Sequence, residues 1–571
     1  MIKKKKITSE SLSIDEVKQL RSVSNRFGRM WAEQKALLLK KISSRPINEM
    51  QVLIAYHDCL LFLQAYPENK SLFQLSAIEL ERVSNSARSI FENGSQRNQK
   101  QLSGTGIAFT PVNVAFGFDL TAWLAHQFPE QISIFECGAD KQIMKEILLL
   151  LLPETEREVF EKNDWSLEEF IALAKGKSPL SDLQWLTDLF RCRDFTPTLR
   201  DLLYDNLKIY ITWNTNQTGA SRTYARSLPA KIYYQKLEFK RLLVASKIII
   251  QPLEKAVRIS LTEKTELVTV SRGILGMLER ETDPSTYADQ HAVEYFEMGK
   301  GISIALYPMD TNRRLPFDSY IGYMAFKNRI PIAYGGGWIF QQRCKIGVNV
   351  LSAFRGGESA YLFLQVLRLY HHHYKIHRFI IEPYQIGYKN TEGLKSGAFW
   401  FYYRFGFIPI DKKMKELANS EYKKIQLNKE YRTPLQVLQK LAVSAMELSL
   451  NETGNHGLDV LMISDGISKM INNRFNGNRM KAEKEAILFG VEFLGLKIRQ
   501  IDFSSIKKSL QNFSMLLLLL SPPFKSWNKK EKDALVKLIL LKSSGSEWKY
   551  VLEFQKHHKL NQAIANYFTG K

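Results

Sequence analysis

Val348-Asn349-Val350-Leu351-Ser352-Ala353-Phe354-Arg355-Gly356-Gly357-Glu358-Ser359-Ala360 is the stretch on which the fold turns. An apolar, β-branched run feeds a turn with two glycines, and a helical pattern starts at once, from Ser359 to Tyr374. In such a turn the backbone N–H groups of the loop and of the first helical turn have no intrahelical partner. The helix dipole adds partial positive charge at the same point. A glycine there, having no Cβ, lets the backbone approach a phosphate closely. A pyrophosphate fits this arrangement, and so does a plain connection between strand and helix.

The segments on either side narrow the choice. Upstream, Ala292–Met298, Ile302–Tyr307, Tyr320–Phe326, Pro331–Phe340 and Lys345–Leu351 alternate or are rich in β-branched and aromatic residues, which predicts strands. Tyr320–Phe326 and Pro331–Phe340 are parted only by Lys327, Asn328 and Arg329, so they read as an antiparallel hairpin. Downstream come the Ser359–Tyr374 helix, a short buried strand at His377–Ile381, a long loop, and a helix that ends in Phe401-Tyr402-Tyr403-Arg404-Phe405-Gly406-Phe407-Ile408-Pro409. Gly335-Gly336-Gly337-Trp338 inside a strand points either to close approach of a ligand or to tight packing of a helix on the sheet.

In this order the segments resemble the GNAT superfamily of acyl-CoA N-acyltransferases, over roughly a fifth of the chain. That family's pyrophosphate loop falls on Arg355, Gly356, Gly357, Glu358, Ser359 and Ala360, and its closing helix motif on Phe401–Phe407. Glu358 stands where the family loop has its first central glycine, so its carboxylate must point away from a phosphate or pair with a cation such as Arg355. The resemblance implies an α+β fold with a mixed, mostly antiparallel sheet flanked by helices. Residues 1–281 and 413–571 form mainly helical regions around a 282–412 core. It implies acetyl-CoA or another acyl-CoA as donor and an amine as acceptor. The backbone of Val350, Leu351 and Ser352 would hold the acyl carbonyl, and Tyr402 would protonate the leaving thiolate. For the base that takes the amine proton, Glu382 at the end of a buried strand is the candidate. It also reads as a solvated charge or as a partner for Arg378.

Composition sets the bounds. A chain of 571 residues suggests about three domains. The net charge of +22, from 80 Lys and Arg against 58 Asp and Glu, attracts anions, which keeps nucleic acid among the possible partners. The one dense basic run, Lys3–Lys6, reads as a solvated tail. Cys59, Cys137, Cys192 and Cys344 lie far apart, without a metal or redox spacing, and isolated thiols suggest the cytoplasm. Met1–Ser9 has no apolar stretch behind it and does not read as a signal peptide. The leucine runs Ile147–Leu152 and Leu516–Leu520 are far shorter than the roughly 20 residues of a membrane span and read as buried segments. His371, His372 and His373 follow one another on a helix, about 100° apart, so they cannot chelate one ion, and no metal is expected. Two functions follow: an acyl-CoA N-acyltransferase, or a GNAT-like module that has lost catalysis and serves as a binding or scaffold protein.

Overall fold

The computed structural model describes residues 11–43, 45–215, 219–239, 243–280, 283–451, 458–496, 503–520 and 527–569. Lys3–Lys6 and most of the Asn451–Gly457 linker lie outside them. Helices dominate, as the three- and four-residue apolar spacing of the first 70 residues predicts: Ile14–Ser24, Arg29–Ser43 and Met50–Ala65 match expectation to within a few residues. The Glu92–Gly106 stretch, whose Asn, Gln, Ser and Gly read as an exposed loop, instead carries the end of the Lys70–Asn93 helix and a further helix, Gln96–Leu102. The Ser95 side chain accepts from the Asn98 N–H and caps that second helix, so its polar composition reflects helix termini.

Two sheets organise the rest. β1 (Pro111–Val114), β2 (Ile132–Cys137) and β3 (Ile209–Asn214) form a small antiparallel sheet, with β3 in the middle, inside a region the sequence reads as helical. Its own core gathers Phe118, Phe190, Tyr204 and Trp213. The larger sheet contains β4 (Glu294–Gly299), β5 (Ile302–Pro308), β6 (Ser319–Lys327), β7 (Ile330–Phe340), β8 (Arg343–Ile346), β9 (Asn349–Val350), β10 (Arg378–Ile381), β11 (Ile408–Pro409) and β12 (Met446–Ser449). Their order is β11-β12-β10-β8-β7-β6-β5-β4, with β9 also on β7. Every pair is antiparallel except β8–β10, which is parallel. β12 comes from Thr433–Leu450, a stretch whose sequence reads as one helix. Only Leu435–Leu441 is helical there.

All seven residues of β5 are buried, and so are most of those in β6 and β7. Successive residues point to opposite faces. Tyr295, Ala305, Tyr307, Met324 and Phe326 pack with Leu267, Ile274 and Leu275 of the Leu261–Met277 helix. Their neighbours Phe296, Ile304, Leu306, Tyr323 and Ala325 join the core built by the Met50–Ala65 and Ser359–Tyr374 helices. A sheet covered on both faces needs apolar residues at every position, which explains the continuous runs. In Gly335–Gly337 the reason for glycine is packing. A Cβ on Gly337 would lie 2.6 Å from the Tyr370 ring of the Ser359–Tyr374 helix.

The terminal regions are fastened to this sheet by one buried and one half-buried ion cluster. Glu547 takes hydrogen bonds from Lys542 Nζ (2.6 Å) and Ser319 Oγ (2.6 Å), and lies 3.2 Å from Arg314 Nε. Arg313 pairs with Asp119 and Asp201 at 2.5 Å each. These contacts give Arg313 and Arg314 structural roles, although the run Asp310, Arg313, Arg314 reads from sequence alone as an acceptor-site flank or a surface loop. Glu547→Ala would leave two cations buried without their anion, and should lower stability by about 3–5 kcal/mol. Urea denaturation checks this, and an unchanged midpoint would show the cluster to be dispensable.

Candidate functional site

β8 and β10 run side by side only from Arg343 to Lys345 and from Arg378 to Ile380. After Ile346 the chain bends through Gly347 and Val348 and continues as β9, which pairs with β7 alone, Ala333 opposite Val350 and Tyr334 opposite Asn349. β10 meanwhile ends at Ile381 and turns into a 3-10 turn, Pro383–Ile386. The sheet thus parts in its interior. Tyr323 Oη donates to the Gly347 carbonyl at 2.7 Å, and the Gln385 side chain lies against Gly347, 2.9 Å from where its Cβ would be.

Tyr402, in the Ala398–Tyr403 helix, reaches the same bend through a hydrogen bond with the Val348 backbone. It is 3% exposed and touches the rings of Phe363, Phe401 and Phe407. Burial pushes its phenol well above the ordinary range. Such a group keeps its proton at neutral pH, and gives it up less readily than an exposed phenol does.

Beyond β9, Ser352–Phe354 forms a 3-10 turn and Ser359 opens the Ser359–Tyr374 helix. Arg355 and Gly356 between them are exposed, and Gly356 takes φ +88°, the left-handed region that favours glycine. Arg21 Nη2, from the Ile14–Ser24 helix, donates to the carbonyls of Ala353 (2.9 Å) and Arg355 (3.0 Å). With those carbonyls held inward, the N–H groups of Gly356, Ser359, Ala360 and Tyr361 have no acceptor among the described residues. The Glu358 backbone is hydrogen-bonded to Tyr66, whose hydroxyl would lie 2.9 Å from a Cβ on Gly357. Of the backbone expected to hold an acyl carbonyl, the Leu351 N–H is committed to the Ile332 carbonyl at 2.9 Å, because Val350 and Leu351 continue the pairing with β7.

The two charged residues of the loop part company. Arg355 Nη2 pairs with Glu392 at 2.6 Å, both side chains 63% exposed, a contact worth at most about 1 kcal/mol. Glu358 instead meets Lys327 Nζ at 2.6 Å, and Lys327 is fully buried at the end of β6. Burial lowers the Lys327 pKa, and Glu358 opposes that shift. The carboxylate therefore turns inward, away from the free N–H groups.

Glu382 lies elsewhere. It lines a cavity of about 250 Å³ together with Asp318, Trp338, Phe340, Lys345 and Asp459. Tyr402 is not in its wall. Lys345 Nζ is 3.3 Å from Glu382 and 2.8 Å from Asp459, whose carboxylate also pairs with Arg343 at 3.0 Å. Arg378, the other cation considered for Glu382, sits 3.8 Å from Glu447. Asp318 has no cation at ion-pair distance among the described residues, and burial pushes its carboxyl above the usual range. The indole of Trp338 stacks on Tyr320 with centroids 4.0 Å apart and is 41% exposed. Arg21, Tyr66, Lys327, Asp318 and Asp459 carry no motif. They reach the site only through long-range packing, and Trp338 alone was marked by its glycines.

The three adjacent histidines diverge as expected, to the carbonyls of Ile376 and Ile249 and to Glu294. No cluster of three metal-ligating side chains occurs among the described residues, and none of their helices is long and apolar enough to cross a membrane. Lys327→Met should cost about 3–5 kcal/mol by stranding Glu358, and adding Glu358→Gln should restore much of that loss. Chemical denaturation of the single and double variants measures the coupling, and equal losses in the two would refute it. Comparison of the chain with protein-family models, with curated proteins and with solved structures returns no match.

Proposed function

We propose that the chain is a GNAT-type acyltransferase that moves an acyl group from an acyl-CoA thioester to an amine. The observation that carries this reading is the interior parting of β8–β9 from β10, beside an exposed loop whose N–H groups at Gly356, Ser359, Ala360 and Tyr361 are unspent. Such groups at the start of a 16-residue helix suit a pyrophosphate. The single parallel pair, β8 with β10, joined through the Ser359–Tyr374 helix and followed by the Ala398–Tyr403 helix and β11, supports the same reading.

The chemistry then runs by direct attack. The amine nitrogen forms a bond to the thioester carbonyl carbon, the carbonyl oxygen takes up negative charge, and the C–S bond breaks as the oxyanion collapses. One proton leaves the nitrogen and one reaches the thiolate. Glu382 and Asp318 share the cavity from which the amine would come, and Asp318 suits the base role better. A carboxylate with a raised pKa and no paired cation holds a proton more readily than one tied to Lys345. Tyr402 would supply the thiolate proton.

A second reading, a binding or scaffold module without catalysis, is favoured by the burial of Tyr402 among phenylalanines and by Gln385 lying in the gap. Calorimetric titration with acetyl-CoA, desacylated CoA and longer acyl-CoAs separates the two. Saturable binding is expected, weakened about tenfold or more by Arg21→Ala, which frees the loop carbonyls, and by Gly356→Val. Absence of binding by every CoA species would leave the scaffold reading. If donor binds, Tyr402→Phe should lower turnover strongly with donor affinity nearly intact, and an unchanged rate would remove Tyr402 from the reaction.

A further inference from the structure

The cavity that holds Glu382 shares two wall residues, Phe340 and Arg343, with a second cavity of about 390 Å³. The two ends differ in chemistry. The first offers carboxylates and an aromatic platform. The second is walled by carboxamides, among them Gln342, Gln562 and Asn566, whose side chains are exposed and make no hydrogen bond among the described residues. Gln341, Gln555 and Asn561 line it as well, but they bond one another and nearby carbonyls and so fix its shape. His377 adds a buried Nδ1 with no partner. Burial, then His371, keep that imidazole below its ordinary pKa and neutral at pH 7.

A neutral carboxamide both donates and accepts, as a sugar hydroxyl does. Trp338, with one face on Tyr320 and the other side partly open, presents a flat π surface. Such a surface attracts the weakly positive C–H face of a pyranose and a nearby ammonium. A peptide acceptor is less suited. Extended peptides gain most from adding to an open strand edge, and β7, β8 and β10 all have strands on both sides. A nucleic acid would need unpaired cations, whereas Arg343 and Lys345 are both tied to Asp459. Together the two cavities lie within the range of about 300–1,000 Å³ that holds small ligands.

We infer that the acceptor is a hexosamine-bearing oligosaccharide. Its free amine lies between Asp318 and Glu382, one ring rests on Trp338, and the following sugar runs past Phe340 onto Gln342, Gln562 and Asn566. This rests on the acyltransfer reading for the role of the amine, but not for the binding itself. A site built to bond hydroxyls strongly rejects ligands that lack them.

The test is calorimetric titration of the full chain with the β-1,4-linked glucosamine dimer, its fully N-acetylated form and diglycine, without any CoA. Saturable binding of the dimer is expected, with the acetylated form weaker and diglycine undetected. Trp338→Ala and the double variant Gln562→Ala with Asn566→Ala, all at exposed side chains, should each weaken the dimer roughly tenfold. No dimer binding, unchanged affinity in both variants, or tighter binding of diglycine would each overturn the inference. Acetyl-CoA titrated into the same preparation keeps the readings apart. Donor binding without dimer binding sinks the sugar assignment alone, and dimer binding without donor binding sinks acyl transfer alone.

Discussion

A sheet that parts in its interior leaves backbone N–H and C=O groups facing a gap without a ladder partner, and buried groups of that kind must be satisfied. The bend at Gly347 and Val348 imposes this on everything near it. Tyr323 answers the Gly347 carbonyl, Tyr402 bonds the Val348 backbone, and Leu351 returns to Ile332. A Cβ on Gly347 would press on the end of the Gln385 side chain. The aromatic crowding of the Ala398–Tyr403 helix follows from the same need. A phenol can cap a strand backbone from inside a core only if its ring is packed, and Phe363, Phe401 and Phe407 supply that packing.

The N-terminal helices are part of this site and not an appendage. Arg21 and Tyr66 hold the carbonyl side of the 353–358 loop, and the Lys327–Glu358 pair anchors its far end. Arg21 also lies over the Phe62 ring, 4.4 Å from the centroid, so its guanidinium is held by stacking as well as by hydrogen bonds. A buried ion pair contributes little net stability once desolvation is counted. Its use here is directional. The pair fixes which way Glu358 points, and so keeps negative charge off the exposed amides.

The sequence made legible what short-range periodicity encodes. Strands β4 to β7 and β10, the Ser359–Tyr374 helix and the Arg355–Ala360 loop stand within a few residues of their expected places, because each is set by neighbours in the chain. Lys345–Leu351, expected as one strand, is split into β8 and β9 by the bend at Gly347 and Val348. β12 escaped because Met446–Ser449 follows directly on a real helical pattern and is short. β1, β2 and β3 escaped because their partners lie up to about a hundred residues away. Of the proposed site, the loop and Tyr402 came from a local motif. Glu382 was marked only by its position at a strand end, and its ion pair with Lys345 could not be foreseen. Asp318 and Asp459 flank the same cavity from separate elements and have no local signature at all.

On the acyltransfer reading, the gap at Gly347 lies between the donor loop and the β10 end that carries Glu382. What stands in that gap differs in mobility from what lines it. Tyr402 is held by a backbone hydrogen bond and three rings, so moving it would uncover apolar surface and strand the Val348 backbone. Gln385 presents the end of a flexible side chain against Gly347, and rotating it away costs on the order of 1 kcal/mol. A thioester entering from the loop side would therefore displace Gln385 and leave Tyr402 in place. The phenol would then meet the sulfur from a fixed position.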